Sequence, residues 1–186
     1  MERSAISSKQ TYVAIKTSIM KKLYILMLIF STLILPAHAQ LSAPAWTLER
    51  PDGTELSLSD IRSDNILLVF TGIGCGHCHE AIPFLNILYD TCKPGSLQIV
   101  AIESWGRWRK TRAKYVKKNA VKFHFLGGDR AYVSSLMKKY KLPGGVPAFV
   151  VLGPSRQIIR RFVGYSRGVT DREIVELLDS LGVTPK

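Results

Sequence analysis

Cysteine is scarce in this sequence, with three residues among 186. That number is too small for a miniprotein held together by several disulfides. No run of 18 or more apolar residues is free of polar interruption, which excludes a protein built from several membrane-spanning helices. Acidic residues are also few, 14 against 26 lysines and arginines. Such an excess of positive charge, if it were spread over the protein, would fit a nucleic-acid or membrane-surface partner.

The first 39 residues have the pattern of a secretory signal. Lys21 and Lys22 precede an apolar stretch over residues 23–35, and Ala37-His38-Ala39 follows it. A positive start, a short apolar centre and small residues at a cleavage point are the three parts of such a signal. We therefore expect residues 1–39 to be a leader and signal peptide, and the protein to be exported to the periplasm or cell envelope. An uncleaved membrane anchor is the alternative.

Strand and helix patterns alternate over residues 40–186, which we expect to form one domain. Continuous apolar runs at 66–70 and 97–102 predict buried parallel strands. Helical spacing follows each run, over 75–90 and over a basic segment at 107–120. Two late strands around Gly153-Pro154-Ser155 predict an antiparallel hairpin, followed by a last helix. This order predicts an α/β fold with a mixed sheet in a thioredoxin-like arrangement.

Cys75-Gly76-His77-Cys78 lies between the first buried strand and the helix after it. The start of a helix favours an anion, so Cys75 is expected to be the nucleophilic thiolate. Cys78, one turn inside the helix, is placed to resolve a mixed disulfide. A protonated His77 would further stabilise the thiolate and favour the reduced pair. The motif therefore predicts a redox-active cysteine pair.

The same cysteines allow other functions. A structural zinc site would need a second pair, and the only other cysteine is Cys92. With His79 the motif reads C-x-x-C-H, the attachment pattern of c-type haem, and soft thiolates would also suit Cu(I). Against haem, a buried strand directly precedes the motif and no methionine occupies an obvious axial position. A peroxiredoxin is a further alternative, but it would not need a resolving cysteine in C-x-x-C form, so the motif does not favour it. We expect no metal and no cofactor.

With its flanking segments, the motif resembles the thioredoxin superfamily, and within it the TlpA-like exported thiol–disulfide oxidoreductases. The similar segments are 43–48, 52–53 and 56–61 at the N-terminal hairpin, Pro83 in the active-site helix, and 145–149 at the cis-proline loop. The resemblance implies a central mixed β-sheet flanked by helices, with an N-terminal β-hairpin and an inserted β/α segment. It implies that Pro147 is cis beside the cysteines and that Val146 pairs with an extended substrate. It also implies protein thiol or disulfide substrates and a membrane-bound or exported redox partner.

Four positions depart from the family's pattern. Val69 stands where the family has a buried aspartate, Gly74 where it has a tryptophan, and His77 where it has a proline. Ala81 stands where the family commonly has a glutamate, and the glutamate here, Glu80, lies one position earlier. The proton acceptor for Cys78 is therefore not identified by the resemblance. Glu103 ends a predicted central strand, where such sheets place ligands. We expect Glu103, or Glu80, to be the acid–base partner, with an ordinary exposed strand end as the alternative for Glu103. The direction of electron flow stays open, because His77 favours oxidation whereas the resemblance implies reductases.

The positive charge is concentrated in two places. Residues 1–39 contain five basic residues and one acidic residue, and residues 104–128 contain eight basic residues and no acidic one. The remainder is balanced, so we expect no nucleic-acid partner. The basic helix at 107–118 is expected to be a solvated face or to meet an acidic partner or anionic lipid. Cys92 is expected to be buried and inert, and Trp105 and Trp108 to serve in packing or in a substrate surface.

Overall fold

The computed structural model describes residues 20–22, 24, 42–107 and 109–183. Contacts divide the chain into residues 1–39 and residues 40–186, and the β-sheet belongs to the second unit. Most of the predicted signal, including residues 25–39, lies outside the described residues, so the assignment of residues 1–39 as a leader stays a prediction. In the part that is described, none of the helices combines the length and apolar character that crossing a bilayer requires.

Seven strands and five α-helices form within residues 42–107 and 109–183. The strands are β1 Thr47–Glu49, β2 Glu55–Ser57, β3 Asn65–Thr71, β4 Leu97–Glu103, β5 His124–Gly127, β6 Ala148–Leu152 and β7 Ile158–Val163. The helices are α1 Gly76–Glu80, α2 Ile82–Thr91, α3 Arg109–Lys118, α4 Arg130–Lys139 and α5 Thr170–Ser180. The predicted alternation of strands and helices is confirmed.

All seven strands form one mixed sheet in the order β2-β1-β5-β4-β3-β6-β7. The three strands β3, β4 and β5 are parallel, as their apolar runs and helical crossovers predict. The hairpin β6–β7 lies antiparallel beside β3, and the hairpin β1–β2 lies antiparallel beside β5. These two hairpins enclose the parallel centre.

The core lies on both faces of the sheet, because every residue of β3 is buried. Alternate side chains of a strand point to opposite faces. Ile66, Leu68 and Phe70 therefore join one cluster, which contains Val133 and Leu136 of α4. Leu67 and Val69 join the other, which contains Leu85 of α2 and Ile174 of α5. The end of β3 is thus held rigidly between two packed layers.

Several helix boundaries differ from the sequence prediction, and two of these differences have a physical cause. The helix predicted over 75–90 is broken at Ala81, because Pro83 has no N–H to donate to the carbonyl of His79. The basic helix begins at Arg109 instead of 107. The backbone N–H of Arg107 donates to the side chain of Glu103, an interaction that sequence periodicity does not encode.

Candidate active site

Cys75 and Cys78 meet at the C-terminal end of β3. The turn Gly72-Ile73-Gly74 leads into Cys75, and Gly74 has a φ of 99°, a conformation that favours glycine. Cys75 caps the N-terminus of α1, and its Sγ accepts the backbone N–H of Cys78 at 3.2 Å. The two residues are joined by a disulfide, with Cα atoms 5.2 Å apart. The predicted pair is therefore brought together in its oxidised form.

The two sulfurs have different surroundings. Cys75 is half-buried, whereas Cys78 is only 3% exposed. Cys78 lines a small cavity of about 10 Å³ whose walls are mostly apolar and include Val69 and Ala101. Burial among apolar side chains opposes the charge of a thiolate, while the N–H that Cys75 accepts supports it. Cys75 is therefore the more exposed of the two cysteines.

The cis-proline loop lies against Cys75. The Val146–Pro147 peptide bond is cis, as the resemblance implies. The carbonyl oxygen of Val146 is 3.6 Å from Sγ of Cys75. The carbonyl of Pro147 accepts the N–H of Gly164 at 2.8 Å, which fixes the loop to the end of β7. In the part of the chain that is described, no backbone hydrogen bond engages the N–H of Val146.

Glu103 is not an exposed strand end, so that alternative is wrong. Its side chain has no exposed surface, and it lies at the end of β4 beside Thr71 of β3. One carboxylate oxygen accepts the N–H groups of Trp105 at 3.2 Å and Ile73 at 3.4 Å. The other accepts the N–H of Arg107 at 2.7 Å. One buried carboxylate therefore joins the turn before Cys75 to the loop after β4.

His77 and Glu80 lie together at the surface of α1. Their side chains are 73% and 53% exposed, and His77 Nδ1 is 3.4 Å from Glu80 Oε2. The expected effect of His77 on the thiolate stays a prediction, as does the alternative assignment of Glu80 as acid–base partner.

Trp105 packs on the turn that leads into Cys75. A Cβ on Gly72 would lie 2.7 to 2.8 Å from three atoms of the indole, so the ring packs directly on the Gly72 backbone. A Cβ on Gly74 would lie 3.8 Å from Cζ3 of the same ring. Gly72 and Gly74, the second of which stands where the family has a tryptophan, have no side chain to occupy the space of the ring. Trp108 lies outside the described residues.

The basic segment is only partly neutralised. Arg112, buried in α3, and Arg109 contact the carboxylate of Glu49 at 2.9 Å and 3.7 Å, and Lys122 pairs with Asp90. The other cations of the segment are exposed and belong to none of the ion pairs in the described ranges; they are Arg107, Lys110, Lys114, Lys117 and Lys118. On α3, residues 110, 114 and 117 fall on one stripe at 100° per residue.

The third cysteine lies away from this site. Cys92, at the end of α2, is a buried free thiol, as expected. Burial raises the pKa of the Cys92 thiol, and the nearby Asp179 carboxylate raises it further. Both effects oppose the reactive thiolate form.

Comparisons with known proteins agree with this geometry. The family model described as AhpC/TSA matches residues 39–161. The thiol-disulfide oxidoreductase ResA of Bacillus cereus is 27% identical over 122 residues, which cover 66% of this chain and 68% of that protein. For ResA of Bacillus subtilis, the identity is 26% over 117 residues, covering 63% of this chain and 51% of that protein.

A likeness to a solved structure concerns the fold. The thioredoxin domain of a thiol-disulfide oxidoreductase from Bacteroides vulgatus has a TM-score of 0.63 at 22% identity, covering 74% of this chain and 95% of that one. The predicted thioredoxin-like fold is therefore confirmed.

Proposed function

This chain belongs to the AhpC/TSA family, and we propose that it is a thiol–disulfide oxidoreductase that exchanges electrons with protein substrates through Cys75 and Cys78. One observation carries the proposal: a disulfide joins an accessible Cys75 to a buried Cys78 at the end of the central strand, beside the Val146–Pro147 loop. The relatives named thiol-disulfide oxidoreductase ResA support it. The exchange needs no group beyond the sulfurs and a proton acceptor.

The reaction proceeds in two exchanges. In the reduced protein, the Cys75 thiolate attacks one sulfur of a substrate disulfide, forming a Cys75–substrate bond and releasing the other substrate sulfur as a thiolate. The Cys78 thiolate then attacks Sγ of Cys75, forming the intramolecular disulfide and releasing the second substrate thiolate. Two electrons pass to the substrate. The reverse sequence oxidises a substrate dithiol, and the reduction potential of the pair decides which direction prevails.

The substrate segment next to the reacting sulfur is held by the cis-proline loop. The backbone of Val146 is free of secondary-structure bonding within the described part of the chain and lies next to Cys75. An extended peptide pairs with such free backbone groups as an added strand does. Val146 and Pro147 are therefore assigned to substrate binding.

Glu103 is assigned as the proton acceptor for Cys78. Ala101 lines the cavity at Cys78, and Glu103 follows two residues later on the same face of β4. Within the described residues no hydrogen bond joins Glu103 to either cysteine, so the transfer would pass through rearrangement or water in the reduced state. Glu80 is the alternative acceptor, but it is exposed and lies beside His77.

His77 is assigned to tuning the pair. Its imidazole lies between the two cysteines in sequence and is held near the Glu80 carboxylate. A positive charge at that place stabilises the thiolate of Cys75 and so makes the pair more oxidising. Measuring the reduction potential of the wild type and of His77→Pro tests this: the variant is expected to be more reducing, and an unchanged potential removes His77 from the mechanism.

The cellular setting follows from the leader pattern in residues 1–39. Export would place the cysteine pair where disulfides form and persist. The redox partner would then be an exported or membrane-bound protein. The five exposed cations at 107–118 would suit an acidic surface on that partner.

Reduction of insulin by dithiothreitol tests the function. The wild type is expected to accelerate precipitation of the insulin B chain, and Cys75→Ser is expected to abolish the acceleration. Cys92→Ser is the matched control and should behave as the wild type. Equal activity of Cys75→Ser and the wild type would overturn the proposal. A haem band in the visible spectrum of the purified protein would replace it with the carrier function.

A further inference from the structure

Trp105 presents an aromatic surface on the turn that leads into Cys75. Its ring packs on the backbone of Gly72, and Gly74, which the same ring also approaches, immediately precedes Cys75. Trp105 as a residue is 37% exposed, so the turn covers only part of it and another part faces solvent. Trp105 lies in the loop after β4, whereas the cysteine motif follows β3. The site therefore has an aromatic group that the motif itself lacks.

The turn beneath the ring is shaped to receive it. Any side chain at Gly72 would collide with the indole, since a Cβ there lies 2.7 Å from Cε2. Gly72 is buried by this contact although its turn lies at the end of the sheet. The close approach of a ring to a backbone is a use of glycine that no other residue fulfils. The contact is therefore specific to the Gly72–Trp105 pair.

The position of Trp105 is fixed before any substrate arrives. One oxygen of the buried Glu103 carboxylate accepts the N–H of Trp105 and that of Ile73, which lies in the turn under the ring. The other oxygen accepts the N–H of Arg107, two residues beyond Trp105. The N–H of Ser104 donates to the carbonyl of Thr71 at 2.8 Å, a further bond between the two loops. A surface held in this way loses little conformational freedom on binding.

We infer that Trp105 is a substrate-contact residue, an apolar platform for a side chain that flanks the reacting cysteine of a protein substrate, and that Glu103 is the positioning residue that holds it. This inference rests on the proposed function. An indole packs best against apolar and aromatic groups, and a buried aromatic anchor carries much of the energy of a contact. The site would therefore prefer protein disulfides with an apolar residue beside the cysteine. A small disulfide would gain nothing from the ring.

The test uses two synthetic disulfide-linked peptides that differ only in whether leucine or serine flanks the cysteine. With dithiothreitol as the reductant, the wild type is expected to show a KM about tenfold lower for the leucine peptide, the size of one good aromatic contact. Trp105→Ala is expected to lose this preference, and Trp105→Phe to keep most of it. Gly72→Ala, which displaces the ring without removing it, is expected to lose it as well.

Two controls separate a substrate contact from a structural role. Tyr89→Ala removes an exposed aromatic residue near the far end of α2 from Cys75 and should leave both KM values unchanged. The rate with 2-hydroxyethyl disulfide, which is too small to reach the ring, should be the same in the wild type and in Trp105→Ala. An equal loss with this reagent and with the leucine peptide would show that Trp105 acts on the fold or on Cys75, and would overturn the inference.

The remaining outcomes separate a failure of this inference from a failure of the proposed function. If the wild type reduces both peptides with the same KM, the platform is overturned while the proposed function stands. If Trp105→Phe is as impaired as Trp105→Ala, aromatic packing is not the basis of recognition and the inference fails. If the wild type reduces neither peptide nor insulin, the proposed function itself fails.

Discussion

The carbonyl oxygen of Val146 lies 3.6 Å from Sγ of Cys75, so residues separated by 71 positions meet at one point of the surface. The contact sets the backbone of Val146, whose N–H has no backbone partner among the described residues, beside the more exposed cysteine of the pair. A substrate bound to that segment would present its own sulfur to Cys75 and not to Cys78. The asymmetry between the cysteines thus has a geometric basis.

The roles of the two cysteines can be separated by trapping. Cys78→Ser is expected to accumulate a mixed disulfide with a protein substrate, because the sulfur that would resolve it is missing. Cys75→Ser should form none, since burial shields Cys78. Non-reducing electrophoresis followed by mass spectrometry measures both. A mixed disulfide formed through Cys78 in the Cys75→Ser protein would reverse the assignment.

Much of this site can be predicted from the sequence. The features that could not be predicted depend on contacts between separate loops. The buried strands, the cysteine pair and the cis bond at Pro147 follow from local patterns or from the family resemblance. The burial of Glu103 could not be predicted. The local sequence of a glutamate at the end of an apolar strand is the same whether backbone amides or water surround its side chain. The packing of Trp105 on Gly72 joins two loops, and local patterns carry no information on such a contact.

Glu103→Gln tests two consequences of the buried carboxylate. An amide can accept from Trp105 but presents an NH2 group toward one of its former donors, so we expect a loss of about 1–3 kcal/mol in the free energy of unfolding. Urea denaturation measures this loss. If Glu103 accepts the Cys78 proton, alkylation of Cys78 in the reduced variant should also shift to higher pH. An unchanged profile would leave Glu103 with a positioning role alone.

His124 should make the fold sensitive to mild acid. Burial lowers the pKa of His124 below its ordinary value of 6.5, and the positive charge of Arg50 lowers it further. Below pH 6.5 the unfolded chain therefore binds more protons at this residue than the folded one, and stability falls as the pH decreases. Unfolding in urea at pH 7.5 and pH 5 should show a larger loss in the wild type than in His124→Gln. Equal losses would contradict the assignment.

The exposed stripe on α3 should govern association with an acidic redox partner. Replacing Lys110, Lys114 and Lys117 by glutamate is expected to slow electron exchange with such a partner and to weaken its dependence on salt. The rate with 2-hydroxyethyl disulfide should not change, because that reagent is neutral. Lys138→Glu, Lys139→Glu and Lys141→Glu, at and just after the end of α4, form a control with the same change in net charge. If both sets of variants slow the exchange equally, the stripe has no specific role.

The order of the strands in the sheet affects the tendency of the protein to aggregate through its edge strands. A strand at the edge of a sheet offers free backbone groups to any neighbouring chain, and this is a route to aggregation. Here one outer strand, β2, is three residues long, and the other, β7, carries Arg160 and Arg161. Short length and charge are two ways in which natural sheets limit such pairing. The long, apolar strands that would be most hazardous, β3 and β4, are paired on both sides. Both edges of the sheet thus disfavour pairing with another copy, while Cys75 at the C-terminal end of β3 remains accessible.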